Sequence, residues 1–345
     1  MENTTTAGDG NFMDTHQEEF AWSVVQSVIT FFVILNNTVV ILAFAVFPTI
    51  RNSQSNLYIL NMSVTDLLLG VLGLPLAIHY SRSETWIFGY VSCSFYESVL
   101  IVFSHESIFS AMMLCLDKYI FIKYPLHYYS IVTRRRILFS LAITWLASLV
   151  FGVFPTFTRL NEEYRLRGER TYPLCFSVTV EYVIVGMCLN FIPLNIIIYV
   201  NYFIFKTLRK QLRCRVRPSV ANDQNSASEE ITRNERQLKP GEIKVIKTMI
   251  LIVIVLLCLW IPFFVSLLTN SICFCLPPEV VEFAMWLGFS NSAINPVLYA
   301  FKKDIRSAFS RICHCRFHML SVRDNELSIT ATDGRRVNVN TVTHA

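Results

Sequence analysis

Long apolar runs alternate with short polar segments along the chain, and seven of these runs are long enough to cross a membrane. A helix needs about 20 apolar residues to span the hydrocarbon core, because it rises about 1.5 Å per residue. The runs are continuous rather than alternating, which favours helices over barrel strands. They lie at about 21–47, 56–79, 92–122, 137–157, 179–205, 245–269 and 280–301. The pattern predicts an all-α membrane protein, a bundle of seven transmembrane helices.

The polar segments divide the chain further. Residues 1–20 form a polar N-terminal segment, 21–301 the transmembrane domain and 316–345 a polar tail. Between domain and tail, the segment 302–315 has a basic and an apolar face, which predicts a short amphipathic eighth helix on the membrane surface. The longest polar loop, at about 207–243, separates the fifth run from the sixth.

The composition agrees with a membrane domain. Hydrophobic residues make up 53% of the chain and charged residues 16%, whereas soluble domains have about 25% charged residues. No catalytic constellation faces a shared site, so we predict that the protein is not an enzyme. A transporter or channel is disfavoured because the sequence shows no internal repeat.

Basic residues indicate how the chain lies in the membrane. The first twenty residues contain no Lys or Arg, whereas the segments after the third, fifth and seventh runs are rich in both. Cytoplasmic loops carry the excess of basic residues. We therefore expect a multi-pass plasma-membrane protein with its N-terminus outside and its C-terminus in the cytoplasm. The net charge of +5 reflects this topology rather than nucleic-acid binding. Asn3, in Asn3-Thr4-Thr5, matches a glycosylation sequon on the outside.

One carboxylate lies in the middle of a predicted span. A charge at the bilayer centre costs at least about 2.5–3.5 kcal/mol, so Asp66 should face the bundle interior. Other spans offer small polar partners, namely Ser107, Asn291, Ser292 and Asn295, and Asn37 can join them. An oxygen-rich site of this kind suits a hard cation with waters. Two interpretations stay open, an allosteric Na⁺ site or a hydrogen-bonded packing network, and no other cofactor is predicted.

Several of the ten cysteines lie where chemistry is expected. Cys93 and Cys175 are both on the outside, where disulfides form. Cys273 and Cys275 share a short outer loop and either pair with each other or stay free. Cys313 and Cys315 end the amphipathic segment, where they are either palmitoylated or reduced thiols.

Motifs in register with the seven runs carry a resemblance to a known family. The chain resembles a rhodopsin-like (class A) G-protein-coupled receptor over about 21–315. One motif falls in each run: Asn37, Asp66, Asp117-Lys118-Tyr119, Trp145, Pro193, Leu259-Trp260-Ile261-Pro262 and Asn295-Pro296-Val297-Leu298-Tyr299. Phe263-Phe264 and the segment 286–292 are most similar to the biogenic-amine and trace-amine branch.

The resemblance implies a receptor that binds an extracellular, small ligand and signals through heterotrimeric G proteins, with arrestin as a further partner. It also implies a Cys93–Cys175 disulfide. The G-protein switch would consist of Asp117, Lys118, Tyr119, Glu242, Pro296 and Tyr299. In the resting state Lys118 would pair with Glu242 as a latch, the alternative being two solvated charges.

Two departures touch this switch. Lys118 replaces the family's Arg, and a point charge does not substitute for a planar five-donor fork. Asn201 stands where the fifth run usually has Tyr. The alternative reading is an atypical receptor of the same fold with weak or no G-protein coupling.

The ligand pocket also departs from the amine branch. Leu100 stands where that branch has the Asp that pairs with the ligand ammonium. The resemblance implies a pocket lined by Leu100, Phe263, Phe264, Met285 and Phe289, with Trp260 as its floor. Glu97, one turn above Leu100, is either a contact for a cationic ligand or a solvated residue at the rim. Glu106 falls on another face and is expected to bond neighbouring helices.

Overall fold

All regular elements in the described part of the chain are helices. The computed structural model describes residues 8–83, 86–165, 180–216, 240–273, 275–300 and 303–313. The helices are α1 (Gly8–Val46), α2 (Pro48–Arg51), α3 (Asn56–Leu68), α4 (Leu74–Ser83), α5 (Tyr90–Lys123), α6 (Tyr128–Ile131), α7 (Arg134–Arg165), α8 (Val180–Val216), α9 (Pro240–Cys273), α10 (Pro278–Tyr299) and α11 (Lys303–Cys313). The predicted all-α fold is confirmed.

The predicted membrane spans correspond to seven helical segments. Six of them, in the part of the chain that the structure covers, are long and apolar enough to cross a membrane: Glu19–Val46, Asn56–Ser83, Val91–Lys123, Arg134–Phe154, Ile184–Lys210 and Ile250–Cys273. The seventh span is α10, with 22 residues. Its mean hydropathy is lowered by polar side chains such as Glu282 and Asn291. These point into the bundle, since Asn291 is buried and Glu282 bonds to α1.

Several helices extend beyond the apolar runs that predicted them. Helices extend into the loop expected at 207–243, because α8 continues to Val216 and α9 begins at Pro240. The added turns of α8 are rich in Lys, Arg, Gln and Leu. Lys, Arg and Gln favour the helix without being apolar, so the helix continues beyond the apolar run. The polar N-terminal segment likewise contains the start of α1 at Gly8.

The bundle buries polar side chains and exposes apolar ones. Asn37, Asp66 and Asn295 are fully buried, whereas Phe31 and Phe139 are exposed. This is the distribution expected of helices surrounded by lipid, where polar groups must find partners inside the protein. α5 is the central helix, in contact with α3, α7 and α8, so its side chains reach most of the interior.

Glycines bring helices close together around α5. The segment between α3 and α4 is a π-helical turn, Leu69–Gly73, which the sequence did not predict. A Cβ on Gly73 would lie 3.0 Å from a methyl group of Leu100 on α5. On α7, a Cβ on Gly152 would lie 3.0 Å from the backbone nitrogen of Val102. The α5–α7 contact is therefore a backbone approach that only a glycine permits.

One carboxylate joins three helices where α10 begins. Glu282 Oε1 accepts hydrogen bonds from Trp22 Nε1 on α1 at 2.8 Å and from Gln26 Nε2 at 2.6 Å. It also accepts one from the Ser81 hydroxyl on α4. Gln26 is fully buried and bonds to Ser81 as well. We call these four residues the Glu282 cluster.

α11 corresponds to the predicted amphipathic helix. Ile305 and Ala308 are buried on one of its faces, and the helix contacts α1 and α2. Its apolar face therefore packs against the end of the bundle. Pro193, Pro262 and Pro296 lie inside α8, α9 and α10, and these helices continue through them.

Candidate ligand-binding site

An apolar cavity lies between α5, α7, α8, α9 and α10. It occupies the half of the bundle in which α5 and α10 begin. Side chains from α5 reach it because they recur every three or four residues and so share one helix face. The lining residues are Leu100, Ile101, Ser104, His105, Ile108, Phe151, Gly186, Met187, Asn190, Trp260, Phe263, Phe264, Leu267, Met285 and Phe289.

The structure brings together six of the seven predicted ligand residues. Leu100, Trp260, Phe263, Phe264, Met285 and Phe289 all line the cavity. Trp260 stacks on Phe264 with ring centroids 5.8 Å apart, and Phe263 meets the indole edge-on at 5.8 Å. The three rings support one another, so a ligand resting on Trp260 contacts an ordered aromatic surface.

Glu97 is the predicted residue that the structure places elsewhere. Its side chain is only 5% exposed, so the interpretation as a solvated residue at the rim is wrong. It is also absent from the residues that line the cavity. The first turns of α5 pack into an apolar cluster that buries the adjacent Tyr96 as well, which takes this face of the helix away from solvent.

The sequence did not predict a polar pair in the cavity wall. Asn190 on α8 bonds through Nδ2 to Nε2 of His105 on α5 at 2.8 Å. Both residues are polar within a predicted span, which was the one available signal. Near this pair on α8, Val185 and Leu189 are exposed, whereas Gly186 lines the cavity.

Glu106 bonds to neighbouring helices, as predicted from its position on another face of α5. It accepts hydrogen bonds from Asn61 at 2.9 Å, from Thr144 at 3.0 Å and from Ser148 at 3.2 Å. Trp145 donates to the amide oxygen of the same Asn61 at 2.8 Å. The network joins α3, α5 and α7 without reaching the cavity.

Asp66 lies on α3 beneath the cavity, where it is fully buried and faces α10. It accepts hydrogen bonds from the hydroxyl of Ser292 at 2.8 Å and from the amide of Asn295 at 3.2 Å. Several buried atoms of the other residues predicted for this site have no hydrogen-bond partner among the described residues: Ser107 Oγ, Asn291 Nδ2 and Oδ1, and Asn295 Oδ1. These atoms around the Asp66 carboxylate can therefore still bind water or an ion.

The charged groups at the end of α5 bond locally. Lys118 pairs with Asp117 at 2.5 Å and donates to Ser55 at 3.3 Å. Tyr128 donates to the other oxygen of Asp117 at 2.7 Å. Burial, followed by the Asp117 charge, raises the pKa of the Tyr128 hydroxyl, so it remains a donor. The side chain of Glu242 lies outside the described residues, and the predicted latch stays a prediction.

The remaining switch residues are well placed for contacts between helices. Tyr299, at the end of α10, donates to the sulfur of Met62 at 2.7 Å. Tyr119 packs edge-on against Phe203 of α8, with ring centroids 4.9 Å apart. Pro296 lies inside α10 and is buried.

The cysteines are partly described. Cys273 and Cys275 form a disulfide, which decides between the two alternatives for this pair. Cys93 is also disulfide-bonded, while Cys175 lies outside the described residues. The same holds for Asn3, the Cys313 side chain and Cys315, so the predicted glycosylation and palmitoylation stay predictions.

An apolar cavity in one half of a helical membrane bundle, with charged switch residues in the other half, defines a seven-helix membrane receptor. The chain matches the family described as 7 transmembrane receptor (rhodopsin family) over residues 36–299, and it belongs to this family. It is therefore a multi-pass membrane protein and a G-protein-coupled receptor, in a family of receptors rather than enzymes.

Curated relatives indicate the branch. The histamine H2 receptor of Rattus norvegicus is 30% identical over 323 residues, which cover 91% of this chain and 86% of that receptor. The D(1A) dopamine receptor of Xenopus laevis is 28% identical over 84% of this chain and 71% of its own length. The octopamine receptor beta-2R of Chilo suppressalis is 28% identical over 76% and 72%. The predicted resemblance to the biogenic-amine branch is confirmed.

Proposed function

We propose that this receptor responds to a small, largely apolar extracellular ligand that binds in the cavity above Trp260. The observation that carries the proposal is the cavity wall, which is apolar and aromatic except for three residues. Small-ligand sites are mostly concave and apolar, with a few polar groups that fix orientation. A ligand on Trp260 would favour one position of α9, which contains Pro262, and so shift the equilibrium between inactive and active forms.

The ligand differs in charge from the amines after which the relatives are named. Histamine, dopamine and octopamine receptors are named for cationic ligands, and a buried ammonium needs an acidic partner because burying an unpaired charge is costly. Leu100 occupies the position of that acid. Glu97, the other candidate, does not line the cavity. Simple catecholamines and serotonin are therefore expected to be poor ligands.

The receptor's orientation and partners follow from the charge pattern. The N-terminus lies outside and the basic loops face the cytoplasm, where the heterotrimeric G protein and arrestin bind. Support comes from the basic segments after the third, fifth and seventh spans and from the position of Lys118 at the end of α5. Palmitoyl groups on Cys313 and Cys315 would hold α11 against the lipid.

Na⁺ is the ion proposed for the Asp66 site. One carboxylate and several neutral oxygens suit a hard monovalent cation with waters. The buried oxygens of Ser107, Asn291 and Asn295, which lack a hydrogen-bond partner within the described residues, support the fit, because buried polar atoms are mostly paired. Held between α3, α5 and α10, the ion would favour the inactive arrangement of these helices.

The decisive experiment is a ligand screen in cells expressing the receptor, with several G-protein classes and arrestin recruitment read together. Neutral small molecules are expected to give responses that Met285→Trp abolishes, because the larger side chain fills the cavity. Dopamine or serotonin at submicromolar concentration, with a response that survives Glu97→Gln, would overturn the proposal. Cells without the receptor serve as the control.

A further inference from the structure

The His105–Asn190 pair is the main polar feature of an otherwise apolar cavity. It joins α5 to α8 across the cavity wall with a 2.8 Å hydrogen bond. Asn190 is only 4% exposed, and the imidazole lies against the Phe151 ring at 4.8 Å between centroids. The pair is therefore held from three helices, α5, α7 and α8.

Two backbone carbonyls fix the protons of the pair. His105 Nδ1 lies 2.7 Å from the carbonyl oxygen of Ile101. A carbonyl oxygen only accepts, so Nδ1 carries the proton and Nε2 of the neutral ring is an acceptor. Asn190 must then present its amino group to Nε2. The same Nδ2 donates to the Gly186 carbonyl at 2.8 Å, which gives the amide the same orientation independently.

This arrangement leaves one atom of the pair without a partner. Both N–H groups of the Asn190 amide and both ring nitrogens of His105 are engaged. The amide oxygen, Oδ1, makes no hydrogen bond to any residue that the structure describes. An amide oxygen accepts and never donates, so the cavity offers a fixed acceptor. The hydroxyl of Ser104 is the other polar group among the lining residues.

We propose that Asn190 Oδ1, oriented by His105, is the anchor for an uncharged ligand that carries a hydroxyl or N–H donor on an aromatic body. The inference rests on the proposed function of the cavity and names the ligand class. No Asp, Glu, Lys or Arg is among the lining residues that the structure describes. One amide oxygen satisfies one neutral donor but does not compensate a buried ammonium. The aromatic body matches the Trp260, Phe263 and Phe264 rings.

Three matched probes separate these ligand classes. Naphthol carries a neutral donor, methoxynaphthalene has the same aromatic body without a donor, and naphthylethylamine carries a cation. Binding is measured as the shift in melting temperature of the purified full-length receptor in lipid nanodiscs over a concentration series. Naphthol is expected to bind about tenfold more tightly than methoxynaphthalene, because the ether has no O–H to donate to Asn190 Oδ1. Naphthylethylamine is expected to bind more weakly than naphthol.

The variants assign this preference to the pair. Asn190→Leu removes the acceptor at similar size, so it should make naphthol and methoxynaphthalene equal. His105→Phe removes the group that orients the amide and should reduce the preference. Asn195→Leu is the matched control, because Asn195 carries an amide on the same helix that is exposed and bonds only locally, to Phe191 O at 2.7 Å. The control should keep the wild-type preference.

The outcomes are distinguishable. Equal binding of naphthol and methoxynaphthalene to the wild type, abolished by Met285→Trp, keeps the cavity as the ligand site and overturns the inference. A preference for naphthol that survives Asn190→Leu overturns it too, as does tightest binding of naphthylethylamine. Binding of none of the probes contradicts the proposed function of the cavity and, with it, the inference.

Discussion

Two buried carboxylates, Asp66 and Glu106, illustrate how single residues with the same chemistry take different roles. Glu106 accepts from Asn61, Thr144 and Ser148, so both of its oxygens have neutral donors. Asp66 has donors as well, but the atoms of Asn291 around it remain unpaired within the described structure. Glu106 is therefore satisfied as a packing network, whereas the surroundings of Asp66 have capacity for an ion with its waters.

The Asp66 site predicts that Na⁺ stabilises the receptor. Replacing an organic cation with Na⁺ at matched ionic strength should raise the melting temperature of the purified receptor. A ligand that binds only the folded state adds about 1.4 kcal/mol per tenfold concentration above its dissociation constant. Asp66→Asn should abolish the dependence, because the amide carries no charge.

Glu106→Gln is the matched control for this measurement, since it neutralises a second fully buried acid. The Na⁺ dependence should persist in this variant. A dependence that is missing in the wild type, or that survives Asp66→Asn, would contradict the proposed ion site.

For single residues, the sequence predicted which side chains line the cavity better than it predicted which side chains bond to each other. Trp260, Phe264 and Met285 were predicted in the cavity because the family register places them there. The His105–Asn190 contact was missed because its two residues lie 85 positions apart in the chain, on different helices. Glu97 was misjudged because periodicity gives a helix face but not the depth to which neighbouring segments cover it.

At the scale of elements, the close approach of α5 and α7 depends on Gly152. The absence of a side chain lets the α7 backbone lie against Val102, and this contact places both Phe151 and Ser148 toward α5. The Glu106 network and the cavity wall therefore share one helix packing.

Gly152→Ala should push α7 away from α5 and destabilise the receptor by about 1–3 kcal/mol, the usual cost of overpacking a core. The measurement is the melting temperature of the purified protein. Val150→Ala, at an exposed position of the same helix, controls for a change of residue size on α7. A Gly152→Ala protein as stable as the wild type would show that the helices adjust without cost.

Helix ends were the least predictable elements. Hydropathy reports where lipid surrounds a helix, and the backbone hydrogen bonds continue into water wherever polar helix formers follow. This is why α8 extends to Val216 and α9 begins at Pro240. The π-helical turn Leu69–Gly73 has no periodicity signal of its own, since it changes the helix register by one residue.

At the scale of the whole molecule, the number of spans and the fold followed from the length and continuity of the apolar runs. The partners of the switch residue Lys118 could not be predicted from the sequence. Lys118 bonds to Asp117 and Ser55. A latch between Lys118 and Glu242 on α9 would therefore depend on one ammonium group that already has these partners. A weak latch implies a receptor that leaves its resting state easily.

Glu242→Gln should raise basal G-protein signalling by up to about fivefold, the equivalent of an exposed pair worth at most about 1 kcal/mol. Lys118→Arg should lower basal signalling, because Arg binds a carboxylate through two parallel hydrogen bonds. Second-messenger production without ligand, at equal surface expression, measures both.

Glu279→Gln, at the other end of the bundle, is the control for loss of an acidic residue. Basal signalling that is the same in the wild type and in Glu242→Gln, in cells where the receptor responds to an agonist, would count against the latch.

The Glu282 cluster has a mechanical consequence for the receptor. One carboxylate oxygen receives donors from α1 and α4, so a shift of any one of these helices against α10 would break several hydrogen bonds together. We therefore expect α1, α4 and α10 to move together as one rigid unit. Movement caused by a ligand at Trp260 is then expected in α8 and α9, which extend beyond their apolar spans to Val216 and from Pro240. A helix bundle held together on one side by the Glu282 cluster is expected to open on the other.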